Sequence, residues 1–105
     1  MKWDDIKDKP REIDWYVGQH VMGLQHDRIM LRSGQEMVDY PDEHFSTNIY
    51  DAWEVIEKLQ EWRPVIRRHP RLGYIITLEG LRPVTSKIAP IAICEAALLA
   101  KGVIE

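Results

Sequence analysis

Nucleophilic chemistry in this chain would have to begin at Cys94, its one thiol. A reactive cysteine needs a lowered pKa and usually a histidine to take its proton. The neighbours Ile93, Ala96, Ala97 and Leu98 offer neither, so Cys94 reads as a small buried core residue that stays neutral. Metal chemistry would rest on the 4 histidines, His20, His26, His44 and His69. No two of them stand at the i, i+4 spacing with which one helix presents two rings to a zinc ion. A set drawn from His20, His26 and Asp27 would have to be assembled by the fold, and no metal is expected. Asp39, Asp42 and Glu43 beside His44 could supply acid–base carboxylates, but that work needs a cleft and shifted pKa values. The local sequence provides no apolar pocket, so a solvated loop is expected there, with no catalytic residue and no cofactor.

Two other groups of residues suit binding better than bond breaking. Ser46-Thr47-Asn48 precedes an amphipathic run, and any one of the three can cap a helix. The unpaired N–H groups of a helix start also attract anions. If Ser46 caps, Thr47 and Asn48 are left to hold a phosphate or carboxylate. The run from Arg63 to Arg71 is the one locally basic segment in a chain of formal charge -3. A charge run is usually a solvated face. Its Arg67 and Arg68 could still close over an anion, adding paired hydrogen bonds at Ser46, Thr47 and Asn48, or meet an acidic partner.

The elements that would position these residues follow from periodicity and turn chemistry. Pro10 opens a first helix with Asp8 as its cap, and Gly23 closes it. Ile13, Val17, His20, Val21 and Leu24 share its apolar spacing, which puts His20 at the edge of the core. Ile29-Met30-Leu31 and Met37-Val38 flank Arg32-Ser33-Gly34-Gln35 as a hairpin, and Pro41 ends that section. A second helix carries Ile49, Ala52, Trp53, Ile56 and Leu59 on one face, with Val55 and Trp62 as a smaller patch, and stops at Pro64. Leu72 to Leu78 reads as a strand, and Leu81 to Thr85 as an edge strand in which Pro83 is tolerable. Pro90 opens a last helix, Ile91 to Ala100, closed by Gly102.

This order predicts an α+β fold, a single domain over residues 1–105 with helices covering a small, mainly antiparallel sheet. Trp53, Ile56 and Leu59 are expected in the core with Ile93, Cys94 and Leu98. The last helix is apolar on almost every side, which predicts burial either in the core or in a two-fold dimer.

Composition narrows the function classes. Hydrophobic residues at 45% and charged residues at 30% are globular usage. The acidic balance speaks against a nucleic-acid protein, and no apolar run approaches a membrane span. Met1-Lys2-Trp3-Asp4-Asp5 lacks the apolar segment of a signal peptide, and one cysteine fits a reducing compartment, so the cytoplasm is expected.

Three stretches carry a family resemblance. They are Val21-Met22-Gly23 following Asp14, Phe45-Ser46-Thr47-Asn48-Ile49 leading through Ala52 to Trp53, and the run Ala92 to Ala100. In order and spacing the chain resembles the phage ABA sandwich domain (BC1872-like) family of small phage and prophage proteins. It departs where that family commonly has aspartate in place of Asn48 and a basic residue in place of Glu95. The resemblance implies a three-layer α/β/α sandwich in the cytoplasm of a bacterial host, and no activity. The function expected is therefore a non-enzymatic accessory protein that binds a host protein, including in counter-defence. The alternatives are a small-molecule sponge for a nucleotide immune signal, with Trp53 or Tyr74 stacking on a base, and a hydrolase.

Overall fold

The computed structural model describes residues 1–105. Pro10 opens α1 (Pro10–His20), where its missing N–H leaves no bond unmade. The expected Asp8 cap does not form: the capping position is Lys9, no side chain closes it, and Asp8 is exposed. Ile13, Asp14, Val17, Gly18 and Val21 are the buried residues of this segment. Burial of Asp14 rotates the stripe away from His20, which is exposed and stacks on Tyr16 instead of sitting at the core edge. Gly23 takes φ +73°, and the Leu24 N–H reaches the Gly18 carbonyl at 2.9 Å as the chain leaves the helix.

β1 (Arg28–Met30) and β2 (Glu36–Val38) form the expected antiparallel hairpin, with Ile29 opposite Met37. Its turn is closed by the Leu31 N–H on the Gln35 carbonyl at 2.7 Å. Asn48 then caps α2 (Ile49–Glu57), its side-chain oxygen accepting from the Tyr50 and Asp51 N–H groups at 2.9 and 3.2 Å. The helix is shorter than its periodicity indicated and passes into a 3-10 turn at Gln60–Trp62.

The buried face of α2 is Ala52, Val55 and Ile56, continued by Leu59, and Trp53 is not in the core. Ile49 and Trp53 are 47% and 54% exposed. Two stripes of helical spacing share Ala52, Ile56 and Leu59 and differ in whether Trp53 or Val55 joins them. Helix α3 (Ala89–Ala100), against which α2 packs, buries Ala92, Cys94, Ala96 and Ala97. Small residues permit close helix approach, and a short branched valine fits that spacing where an indole would hold the helices apart.

A second sheet has the order β3-β4-β5, from β3 (Val65–His69), β4 (Gly73–Thr77) and β5 (Val84–Ser86), antiparallel throughout. The last two overlap the segments whose patterns predict strands, whereas the basic run, whose charge predicts a solvated segment, forms β3. Ile66, Ile76 and Val84 form one cross-strand row, of which Ile76 and Val84 are almost fully buried. Gly73 opens β4 at φ +87°, and a Cβ there would lie 2.5 Å from the Ser86 carbonyl oxygen. Only glycine allows both the backbone angle and the approach of β5.

Every residue of α3 from Ala92 to Leu98 is buried, and the helix packs against α1, α2, β4 and β5. It is the hub of the α+β arrangement. Its own chain covers it, so the ground for expecting a dimer from its apolar surface is removed. Apolar surface is exposed instead on the outer side of α2 and on the hairpin, where Ile29, Met30 and Met37 are each more than half exposed.

Candidate functional site

Asp14 organises the start of α2 from 32 residues away in sequence. Its Oδ1 accepts the Ser46 N–H at 2.8 Å, and its Oδ2 accepts Arg11 Nη1 at 2.8 Å. Arg11 also donates to the carbonyls of Pro41 and Glu43, stands 3.1 Å from His44 Nδ1, and lies over the Tyr40 ring. One guanidinium thus fixes the segment Tyr40 to His44 that delivers Phe45 and Ser46 into the interior, both fully buried. The Ser46 hydroxyl donates to the Pro10 carbonyl at 3.0 Å. Ser46 is therefore saturated by the fold, Asn48 is engaged as the cap, and only Thr47 keeps an uncommitted side chain. Capping falls to Asn48, not to Ser46.

A groove of about 590 Å³ opens beside this latch. Trp3, Lys7 and Asp8 line it together with Ser46, Thr47, Ser86 and Glu95. Glu95 lies 3.3 Å from Arg82. Burial pushes its pKa above the ordinary carboxylate value, and the hydrogen bond and charge of Arg82 offset this only in part. Two carboxylates and one lysine make poor surroundings for an anion.

Of the residues expected to gather on an anion, only Ser46 and Thr47 line this groove. Arg67 and Arg68 sit on β3, with β4 between them and β5. As neighbours in a strand they point to opposite faces of the sheet. Arg68 lies over the Tyr74 ring, 5.8 Å from its centroid, and Tyr74 packs on the core side. The two arginines share no face of the sheet, and neither lines the groove.

The remaining chemistry-bearing residues are accounted for locally. Cys94 is fully buried, and burial, then the nearby charge of Asp14, push its thiol well above the ordinary range. His26 pairs with Asp39 at 3.1 Å rather than with Asp27. The His44 N–H donates to Asp51 at 2.7 Å. His69 Nδ1 accepts the N–H groups of Arg71 and Leu72, each at 3.1 Å, and so ties the β3–β4 turn. Arg28 locks the hairpin to α1: it bonds Glu12, reaches Glu36 at 2.6 Å, and lies 4.5 Å from the centroid of the Trp15 ring. Burial works against its charge, but the bonds to Glu12 and then Glu36 outweigh it and raise its pKa.

A further feature was hidden by the misread face of α2. Ile49, Tyr50, Trp53 and Glu54 line a shallow concavity of about 540 Å³, with Tyr50 82% exposed. The available signal was the smaller patch at Val55, the residue that takes the buried position and leaves Trp53 outside.

A family model for the phage ABA sandwich domain matches residues 15–98, from Trp15 in α1 to Leu98 in α3. The chain belongs to that family. No curated protein and no solved structure matches it. Within this phage ABA sandwich domain, the Phe45-Ser46-Thr47-Asn48-Ile49 stretch performs structural work: a buried aromatic, a doubly bonded serine and a helix cap. None of its helices is long and apolar enough to cross a membrane.

Proposed function

We propose that this phage-family domain is a non-enzymatic binding module that engages a host protein in the bacterial cytoplasm through the outer face of α2. The observation that carries this is the exposed set Ile49, Tyr50 and Trp53 around its concavity. Tyrosine and tryptophan combine large apolar area with a polar handle, and they dominate the energetics of protein interfaces. The face is also pre-organised, because Asn48 caps the helix and the Asp14–Ser46 bond anchors the segment before it. A rigid face loses little freedom on binding. Counter-defence is the role this predicts if the partner belongs to a host defence system. The nucleotide-sponge alternative has weaker support, since neither Arg67 nor Arg68 lines the groove at Ser46 and Thr47, which carries Asp8 and Glu95 instead.

The test is photocrosslinking in host bacterial cells, with p-benzoylphenylalanine replacing Tyr50 in one variant and Lys58 in another. A discrete host-protein adduct is expected from position 50 alone, and it should vanish when Trp53→Ser is added. The same adduct pattern from both positions, or one indifferent to Trp53→Ser, would refute the proposal.

A further inference from the structure

β3 is an edge strand whose only neighbour is β4. No backbone hydrogen bond outside the sheet involves Val65 to His69, so the N–H and C=O groups along its outer side have no partner. Unpaired edges invite strand addition, and proteins guard them with charge. Here the charge has one sign. Arg63, Arg67, Arg68 and Arg71 fall within nine residues, and no acidic residue occurs between Glu61 and Glu79. Arg63 pairs with Glu79 at 3.4 Å, while Arg67, Arg68 and Arg71 make no ion pair. This accumulation sits in a chain whose formal charge is -3.

We propose that the outer edge of β3 docks an acidic, extended peptide segment as a fourth strand of the sheet. This surface is separate from the α2 face, and the proposal does not depend on the reading given for that face. Main-chain pairing would supply affinity and side chains on alternating faces specificity. In an antiparallel register, two consecutive carboxylate residues stand opposite Arg68 and Arg67, one on each face of the sheet. Two β-branched residues then stand opposite Ile66 and Val65, which are 39% and 51% exposed. The edge is held ready: Arg68 rests on Tyr74, and His69 fixes the adjoining turn. A second copy of the chain is a poor occupant, because two-fold pairing of β3 with itself brings arginines against arginines.

The probe is the blocked peptide Ser-Glu-Glu-Ile-Val-Thr, titrated against the full chain and followed by amide NMR and hydrogen exchange. Shifts should concentrate on Val65 to His69, and the β3 amides facing away from β4 should exchange more slowly when the peptide saturates. Affinity should fall about tenfold or more for the Arg67→Glu, Arg68→Glu variant, and for a peptide with lysines replacing its glutamates. Arg67→Gln, Arg68→Gln should give an intermediate loss, and each variant should melt like the parent. No shift at about 1 mM peptide, shifts without slowed exchange, or an unchanged affinity in the charge-reversal variant would overturn the proposal. Tighter binding of oligothymidylate than of the peptide at the same edge would overturn it in favour of a nucleic-acid site.

Discussion

Two regions of this domain treat arginine in opposite ways. Near α1, Arg11 and Arg28 are spent on the fold: one gathers Asp14, Pro41 and Glu43, and the other joins the hairpin to Glu12 and the ring of Trp15. On β3 and its turn, Arg67, Arg68 and Arg71 hold no carboxylate at all. Removing a guanidinium from water is costly unless carboxylates and carbonyls take most of its donors. They do so for the Nη groups of Arg11 and Arg28, although the buried Arg28 Nε has no partner. Exposed guanidinium groups need no partner for stability, and their accumulation on one edge is what the proposed acidic strand would answer. The two sides of α2 show the same division between a face committed to α3 and a face committed to nothing within the molecule.

Variants can break this contrast at known strengths. The largest effect is expected from Asp14→Ala, which leaves the buried Ser46 N–H without its acceptor and takes from Arg11 its one carboxylate. It should cost about 3–5 kcal/mol in denaturant unfolding, while Asp14→Asn, which keeps an acceptor, should cost less. Next comes a paired test on α2. Leu59→Ala, at a fully buried position, should cost about 2–5 kcal/mol. Trp53→Ala, at a position 54% exposed, should cost less than about 1 kcal/mol despite deleting a larger side chain. If Trp53→Ala proves the costlier, the indole faces the core and the outer face does not exist. Arg28→Met retains much of the stem that packs on Trp15 but loses both carboxylates, and should cost about 1–3 kcal/mol, with hydrogen exchange rising first in the hairpin.

A smaller effect should follow pH at Glu95. Its folded-state pKa is raised, chiefly by burial, so the folded protein binds its proton more tightly than the unfolded chain does. The stability contributed by this group is fully present below the ordinary carboxylate pKa and is lost as pH rises through the raised value. Unfolding free energies of the parent should therefore decline relative to Glu95→Gln as pH rises above the ordinary carboxylate range. A difference that stays flat there would show the carboxylate to be as well solvated as in the unfolded chain.

How far the fold could be read in advance followed from how local its causes are. Turn residues and the run Ala92 to Leu98 fix the hairpin and α3 from short-range chemistry, and both lie where the sequence placed them. β3 escaped because four of its five residues are exposed, so it carries no apolar–polar alternation and looks like a charge run. The burial of Asp14 and the engagement of Ser46 depend on a contact across 32 residues, which no local pattern announces. The α2 face failed for a different reason: Trp53 and Val55 give two acceptable stripes, and only the small residues of α3 choose between them. Ser46, Thr47 and Asn48 were legible as a helix start, but which of them caps was set by that same distant aspartate.

If the outer face of α2 serves binding, it contributes nothing essential to the fold. The measurement that tests this most directly is thermal unfolding of the Tyr50→Ser, Trp53→Ser double variant beside its capture of the host protein identified by crosslinking. The account predicts a melting temperature within about 5 °C of the parent together with loss of capture. A variant that unfolds at ambient temperature, or one that stays folded and still captures its partner, would contradict it.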